Sequence, residues 1–396
     1  MMKLSLLTVV LVAACGDNVV PEVVTPPDAP LPWSEAPHGT APTLVSLGGP
    51  VLTAPKIQPI FFANDATMQA SIEAFSTQLA ASPYWTTTTA EYGVGPIAQV
   101  LPTIVSTDAP PTTDSALTTW LAAQLDGTHT AAGWPATVDE QTIYSLFTPQ
   151  GVVVTGNGGS SCSSYGAYHD ELTGAHGESI VFAFMPRCAD LDDLTVGFSH
   201  ELIEAVTDPY VYSNPAFGDA DVDNYVMAIT PGAETGDYCE YLDTSSQRLV
   251  GNFLVQRTWS NAASLAGKDP CVPSAETAYV AGVPMFTDHA RVDGYNGSVM
   301  TRGISVPIHT TKTVDIQLIS DVPTDLFQVR AVDIADFYGD PQELTFAWNL
   351  DHGKNGDVLH LAITRVRQGQ LPGSELYIEG RINSQPVSMW WGYVAN

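Results

Sequence analysis

The stretch FSHELIEAVTDP, Phe198 to Pro209, places His200, Glu201 and Glu204 within about one helical turn. His200 and Glu204 are four apart, so in a helix their side chains lie one above the other and can grip one ion. Glu201 stands beside His200, where the H-E-x-x-H pattern puts the base that takes a proton from water. Here Glu204 replaces the second histidine of that pattern. A carboxylate in place of an imidazole leaves less positive charge on a bound Zn²⁺, which makes it a weaker acidifier of water. The spacing does not set a third ligand. Asp237 or His169 is the expected choice, and His176, Asp219, Asp221, Asp223 and Glu240 stand in neighbouring His- and acid-rich stretches. Without a metal, the same residues make an amphipathic helix with a His–Glu pair on its polar face.

The element that must position these groups is a helix over Leu194–Thr207, capped by Asp192 or Asp193 and ended by Pro209. Leu194, Phe198, Leu202 and Ala205 form an apolar stripe, with His200, Glu204 and Thr207 on the opposite side. The run DADVD resembles the first half of a calcium loop, with Asp219, Asp221 and Asp223 alternating. Asn224 stands where that loop needs glycine and Thr230 where it needs a bidentate carboxylate, so an EF-hand is excluded and Ca²⁺ is the lesser alternative. The glycines of VVVTGNGGSS lack the G-K-[ST] ending of a phosphate loop and read as a turn delivering Cys162.

Around this helix the chain alternates strand-like and helix-like runs. PKIQPIFFA, QVLPTIVS and QTIYSLFTPQGVVVTG read as strands; ATMQASIEAFSTQLAASPYW and DSALTTWLAAQLDG read as helices. This predicts an α+β fold with a mixed α/β domain over 44–274. After about Ser274 the pattern becomes short alternating runs such as TVDIQLIS, VLHLAITRV and ELYIEGRI, which predict an all-β sandwich of roughly seven strands over 275–396. Trp390 and Trp391 suit either a sugar-stacking platform or core packing.

Charge and cysteine usage narrow the setting. With 14 Lys plus Arg against 43 Asp plus Glu, the formal charge is -29, which repels nucleic acid and anionic membranes. Met1–Lys3 is basic, Leu4–Val12 is apolar, and LVAAC ends at Cys15, the order of a bacterial lipoprotein signal with acylation at Cys15. Residues 16–43 are Pro-rich and read as a tether, so membrane contact is expected only through the lipid. Export then sets the expectation for Cys162, Cys188, Cys239 and Cys271: two disulfides, with three pairings open and closeness in sequence favouring Cys162–Cys188 and Cys239–Cys271.

Several segments together resemble a known family, the phosphate-induced, EXORDIUM-like extracellular proteins of plants and their bacterial relatives. They are LGGPVLTAPKIQPIFF, YSLFTPQGVVV, CSSYGAYHDE with Cys162 and His169, SHELIEAVTDP, GDYCEY, and GNFLVQRTWSNAASLAGKDPCV, spread over about Leu47 to Val272. The resemblance implies an exported, disulfide-containing protein. The helix is also similar to the active-site helix of zincin metallopeptidases, which implies a zincin-like domain with His200 as first ligand, Glu201 as base and Glu204 as a substituted ligand. Two functions follow as expectations: a metal-dependent, peptidase-like hydrolase at the cell envelope acting on a peptide, or a non-catalytic scaffold that binds a cell-surface polymer or partner.

Overall fold

The computed structural model describes residues 34, 36, 43–63, 65–156, 158–219, 234–240, 245–275, 277–294, 297–369 and 373–396. The first 33 residues, with the Cys15 signal, lie outside these residues, as do most of the tether and Asp221, Asp223, Asn224 and Thr230 of the acidic run.

The first half is organised by one mixed sheet. After a short β1 (Leu44–Ser46) come β2 (Lys56–Phe62), helices α1 (Ala66–Ala81) and α2 (Pro83–Thr89), β3 (Gln99–Val100), β4 (Ile104–Ser106), and α3 (Asp114–Gln124). Then follow β5 (Thr142–Thr148), the small hairpin β6 (Thr155–Gly156) and β7 (Gly159–Ser160), β8 (Tyr168–Thr173), β9 (Ser179–Pro186) and α4 (Leu191–Thr207). The sheet order is β3-β2-β5-β9-β8, with β4 also on β2; β8 at the edge runs antiparallel to β9, and the other pairings are parallel. Every residue of β5 is buried, as a central strand covered on both faces requires.

Alternation along the strands divides the core in two. Ile143 and Phe147 of β5 and Val181, Ala183 and Met185 of β9 face α1, α2 and α4. Tyr144, Leu146, Phe182 and Phe184 face the other way, against Leu117 and Leu121 of α3. Phe198 of α4 makes edge contact with Phe147 at 5.0 Å and a tilted contact with Phe75 of α1 at 5.5 Å, which seats α4 on the sheet.

From Val280 onward the described residues are all sheet apart from one short helical turn, Ile334–Phe337. A four-stranded sheet runs Val280–Pro284, Thr311–Ser320, Val358–Arg365, Leu344–Trp348 in spatial order. A six-stranded one runs Asp288–Gly294, Gly297–Ser305, Gln385–Ala395, Ser374–Ile382, Phe327–Asp333, His352–Gly353. Ile316, Leu318, Leu359 and Leu361 of the first sheet share a core with Val329, Leu376 and Ile378 of the second, so the sheets pack face to face. The described residues hold ten strands here, where the sequence pattern predicts roughly seven. The surplus includes the Asp288–Ser305 hairpin, whose polar sequence carries little apolar alternation. Trp390 donates from Nε1 to the Tyr279 hydroxyl at 3.0 Å and Trp391 packs on Tyr377 at 5.6 Å. Both indoles are half-buried packing groups rather than an open platform.

Two disulfides are present, Cys162–Cys188 and Cys239–Cys271, the pairs that closeness in sequence favours. Such bonds belong to an oxidising compartment, extracellular or periplasmic. Among the described residues no helix is long and apolar enough to cross a membrane.

Candidate metal centre

α4 starts earlier than its apolar pattern predicts, because the carboxylate of Asp190, not Asp192 or Asp193, accepts the Asp193 N–H at 3.1 Å and caps it. Asp192 and Asp193 fall in the first turn, where the helix dipole favours acids. Pro209 follows the last turn and cannot extend it. The face opposite the apolar stripe is not open to water. It meets strand Phe253–Gln256 and the turn around Thr235–Glu240, so Glu204 and Thr207 are buried. Glu201, seven residues after Leu194, returns to the side of the stripe and points toward edge strand β8.

His200 and Glu204 meet as their spacing requires, Nε2 to Oε2 at 3.0 Å. Asp237 Oδ1 lies 3.6 Å from the same nitrogen. The other ring nitrogen, Nδ1, is 3.1 Å from Gln256 Oε1. The Gln256 amide is oriented by its own partner: Nε2 donates at 2.7 Å to the Gly236 carbonyl, which can only accept. Nδ1 of His200 therefore carries the hydrogen, and the Nε2 lone pair faces two carboxylates. Two acceptors aimed at a third repel unless a proton or a cation sits between them.

His169 comes in from β8, in register with Ala183 of β9. Its Nδ1 lies 3.4 Å from Glu201 Oε2 and 3.7 Å from Glu204 Oε2. Its Nε2 lies 3.3 Å from the Asp208 carbonyl and 3.5 Å from Glu234 Oε1. Glu204 is the hub: Oε1 accepts the Gly236 N–H at 2.9 Å, and Oε2 faces both imidazoles. The side chains of His169, Glu201 and Glu204 are only 3%, 6% and 4% exposed, so these are buried charges. Among the described residues no lysine or arginine pairs with Glu201, Glu204, Glu234 or Asp237.

The electrostatics follow from that composition. Burial opposes charge on both imidazoles, yet the carboxylates outweigh it: Glu234, Glu201 and Glu204 hold His169, and Glu204, Glu201 and Asp237 hold His200, well above the usual histidine value. Burial, reinforced by Glu204, pushes Glu234 and Asp237 upward. Glu204 alone is held down, because the two histidines overcome its burial. Without a metal ion, this cluster keeps its protons.

Of the residues expected from sequence, His169, His200, Glu201, Glu204 and Asp237 converge. Asp219 ends the strand Phe217–Asp219, which pairs with β1. His176 is exposed in the β8–β9 turn and stays outside the group, whereas Glu240, exposed at its rim after Cys239, is raised by partial burial and feels His200, Glu204 and Glu201. Glu234 and Gln256 do join it and were not among the expected residues. Each stands inside a segment quoted above or next to one, but nothing in its own spacing marks it. The ligand atoms of His169, Glu204 and Glu234, and likewise those of His200, Glu201 and Glu204, all lie within 4.8 Å of one another. The residues fit a divalent cation in donor type, burial and surplus negative charge. Compared with known proteins, the chain matches no protein-family model and no curated protein.

Proposed function

We propose that this chain is an exported, surface-held metal-dependent hydrolase of the peptidase type, with its site on α4. The observation that carries the reading is the His200 Nε2 lone pair, set by Gln256 and aimed at Glu204 and Asp237. His200, Glu204 and Asp237 would hold the ion, with Zn²⁺ the best fit to a mixed imidazole–carboxylate set. A bound zinc supplies Lewis acidity, polarising a carbonyl and acidifying water. Glu201 accepts the proton at Oε2, and His169 Nδ1, 3.4 Å away, orients that carboxylate and balances its charge. The zincin-like assignment of the helix, EXORDIUM-like membership and a lipid at Cys15 belong to the same proposal and rest on the sequence segments above.

The test is metal analysis of protein purified without chelator, beside peptide-library cleavage with and without EDTA. His200→Ala should lose the catalytic ion, and Glu201→Gln should keep it while losing hydrolysis, because that change removes a base and leaves the other donors. Parent protein that binds no metal would sink the reading. The inward aim of Glu201 favours a second reading, a non-catalytic scaffold in which the ion only pins the Glu234–Glu240 turn to α4. Stoichiometric metal with no EDTA-sensitive cleavage would select it.

A further inference from the structure

We propose that the cluster is built for two divalent cations that share Glu204. One is held by His200 with Glu204 and Asp237, Glu201 standing beside it as the base; the other by His169 with Glu204 and Glu234. This rests on the reading that the cluster binds metal, and goes beyond it in number and in ligands.

The first support is the arrangement about Glu204. Its Oε2 lies 3.0 Å from Nε2 of His200 and 3.7 Å from Nδ1 of His169, so the two imidazoles address one carboxylate oxygen. Each histidine is also oriented from behind. The far nitrogen of His200 donates to the Gln256 amide oxygen, and that of His169 lies against the Asp208 carbonyl at 3.3 Å. An acceptor on the far nitrogen is the usual device for presenting the near lone pair to a metal. Here it occurs twice, with both imidazoles facing Glu204 Oε2 and Glu234 Oε1 standing 3.5 Å from Nε2 of His169.

The second support is grouping. The two groups of donor atoms, His200–Glu201–Glu204 and His169–Glu204–Glu234, each mutually within 4.8 Å, have only Glu204 in common. A carboxylate has two oxygens and several lone pairs, so it can serve two ions at once. The third is charge. Glu201, Glu204, Glu234 and Asp237 bring four negative charges to a region where no lysine or arginine among the described residues pairs with them. Three of them are buried or nearly so while the Asp237 side chain is 39% exposed, so one dication leaves a buried charge unbalanced and two dications neutralise the whole set. The fourth is Glu234 itself, whose Oε1 is buried beside His169 with no hydrogen-bond partner. A ligand oxygen awaiting a cation explains such an atom.

The experiment counts ions. The full chain, stripped with chelator and dialysed against Zn²⁺, is examined by native mass spectrometry, and Co²⁺ titration of the unaltered chain is followed by its visible absorption. Two ions per chain and a Co²⁺ break at two equivalents are expected. His169→Gln and His200→Gln should each retain one ion, and Glu204→Gln should retain none at micromolar metal. A single ion in the parent, or two ions surviving in His169→Gln, would overturn the two-ion site and leave the hydrolase reading standing. No ion in the parent would overturn both. The Co²⁺ titration decides the count even if a variant fails to fold.

Discussion

Gly236 shows how tightly single residues are constrained at this centre. A Cβ there would lie 2.7 Å from His200 Nδ1 and 2.8 Å from Glu204 Oε1, while the glycine's own N–H and C=O serve Glu204 and Gln256. Gly236→Ala must therefore push a ligand or the turn aside. The expected outcome is a loss of about 1–3 kcal/mol in stability together with weakened metal binding, read by chemical denaturation and calorimetric metal titration. Gln256→Ala tests orientation rather than space. Removing a hydrogen-bond partner that fixes a ligating histidine typically costs about 10–100-fold in metal affinity. The same titration should show that loss with the fold retained by circular dichroism.

At the scale of elements, the centre joins four pieces: α4, edge strand β8, strand Phe253–Gln256 and the turn carrying Glu234 and Asp237. The turn is anchored covalently as well as by packing, with Tyr238 edge-on to Trp259 and Cys239 buried in a small apolar cluster. Cys239 follows Asp237 by two residues and is bonded to Cys271, whose strand Cys271–Val272 pairs with Thr258–Trp259. The Arg257 guanidinium, fully buried, donates to Asp269 and to the Cys271 carbonyl, which holds that strand in turn. Cys162–Cys188 instead ties the segment after β7 to the short stretch between β9 and α4. Replacing either pair by serines should cost roughly 2–4 kcal/mol. Only the Cys239/Cys271 replacement should also lower metal affinity. Equal effects on metal from both replacements would show that the turn does not need its tether.

At the scale of the whole molecule, metal, protons and stability are linked. In metal-free protein, His169 and His200 have raised values in the fold. Their stabilising contribution is complete below the unfolded value, near about 6.5, and is lost as pH rises through the folded values. Glu234 and Asp237 are also raised, so folding favours their protonated forms and they too lose stability as pH rises. Glu204, held down, works in the opposite direction, and only in the acid range below its usual value. The thermal midpoint of chelator-treated protein should therefore fall as pH rises above about 6.5, and added Zn²⁺ should flatten that slope, since cations then replace the protons. A scan that is flat without metal would contradict this. Intact mass spectrometry of membrane-extracted protein should likewise show an acyl-modified Cys15; a soluble product lacking Cys15 would remove the lipid anchor.

What the sequence determined by itself was local and periodic. The four-residue step from His200 to Glu204, the Pro209 stop, the strand runs of β2 and β5, the Cys pairs close in sequence and the change to alternating runs after Ser274 are all read from neighbours along the chain. Their physics, helical and strand repeat, needs no knowledge of the rest. Glu204 and Gly236 stand 32 residues apart and His200 and Gln256 stand 56 apart, so their meeting had no such signature. Nor did the sequence show that the polar side of α4 is covered, because an acid on a helix looks the same whether water or another strand lies over it. That distinction belongs to packing. The mixed sheet buries one side of α4, strand Phe253–Gln256 and the Cys239-tethered turn bury the other, and only this enclosure makes carboxylates that have no lysine or arginine partner among the described residues costly enough to require a proton or a cation.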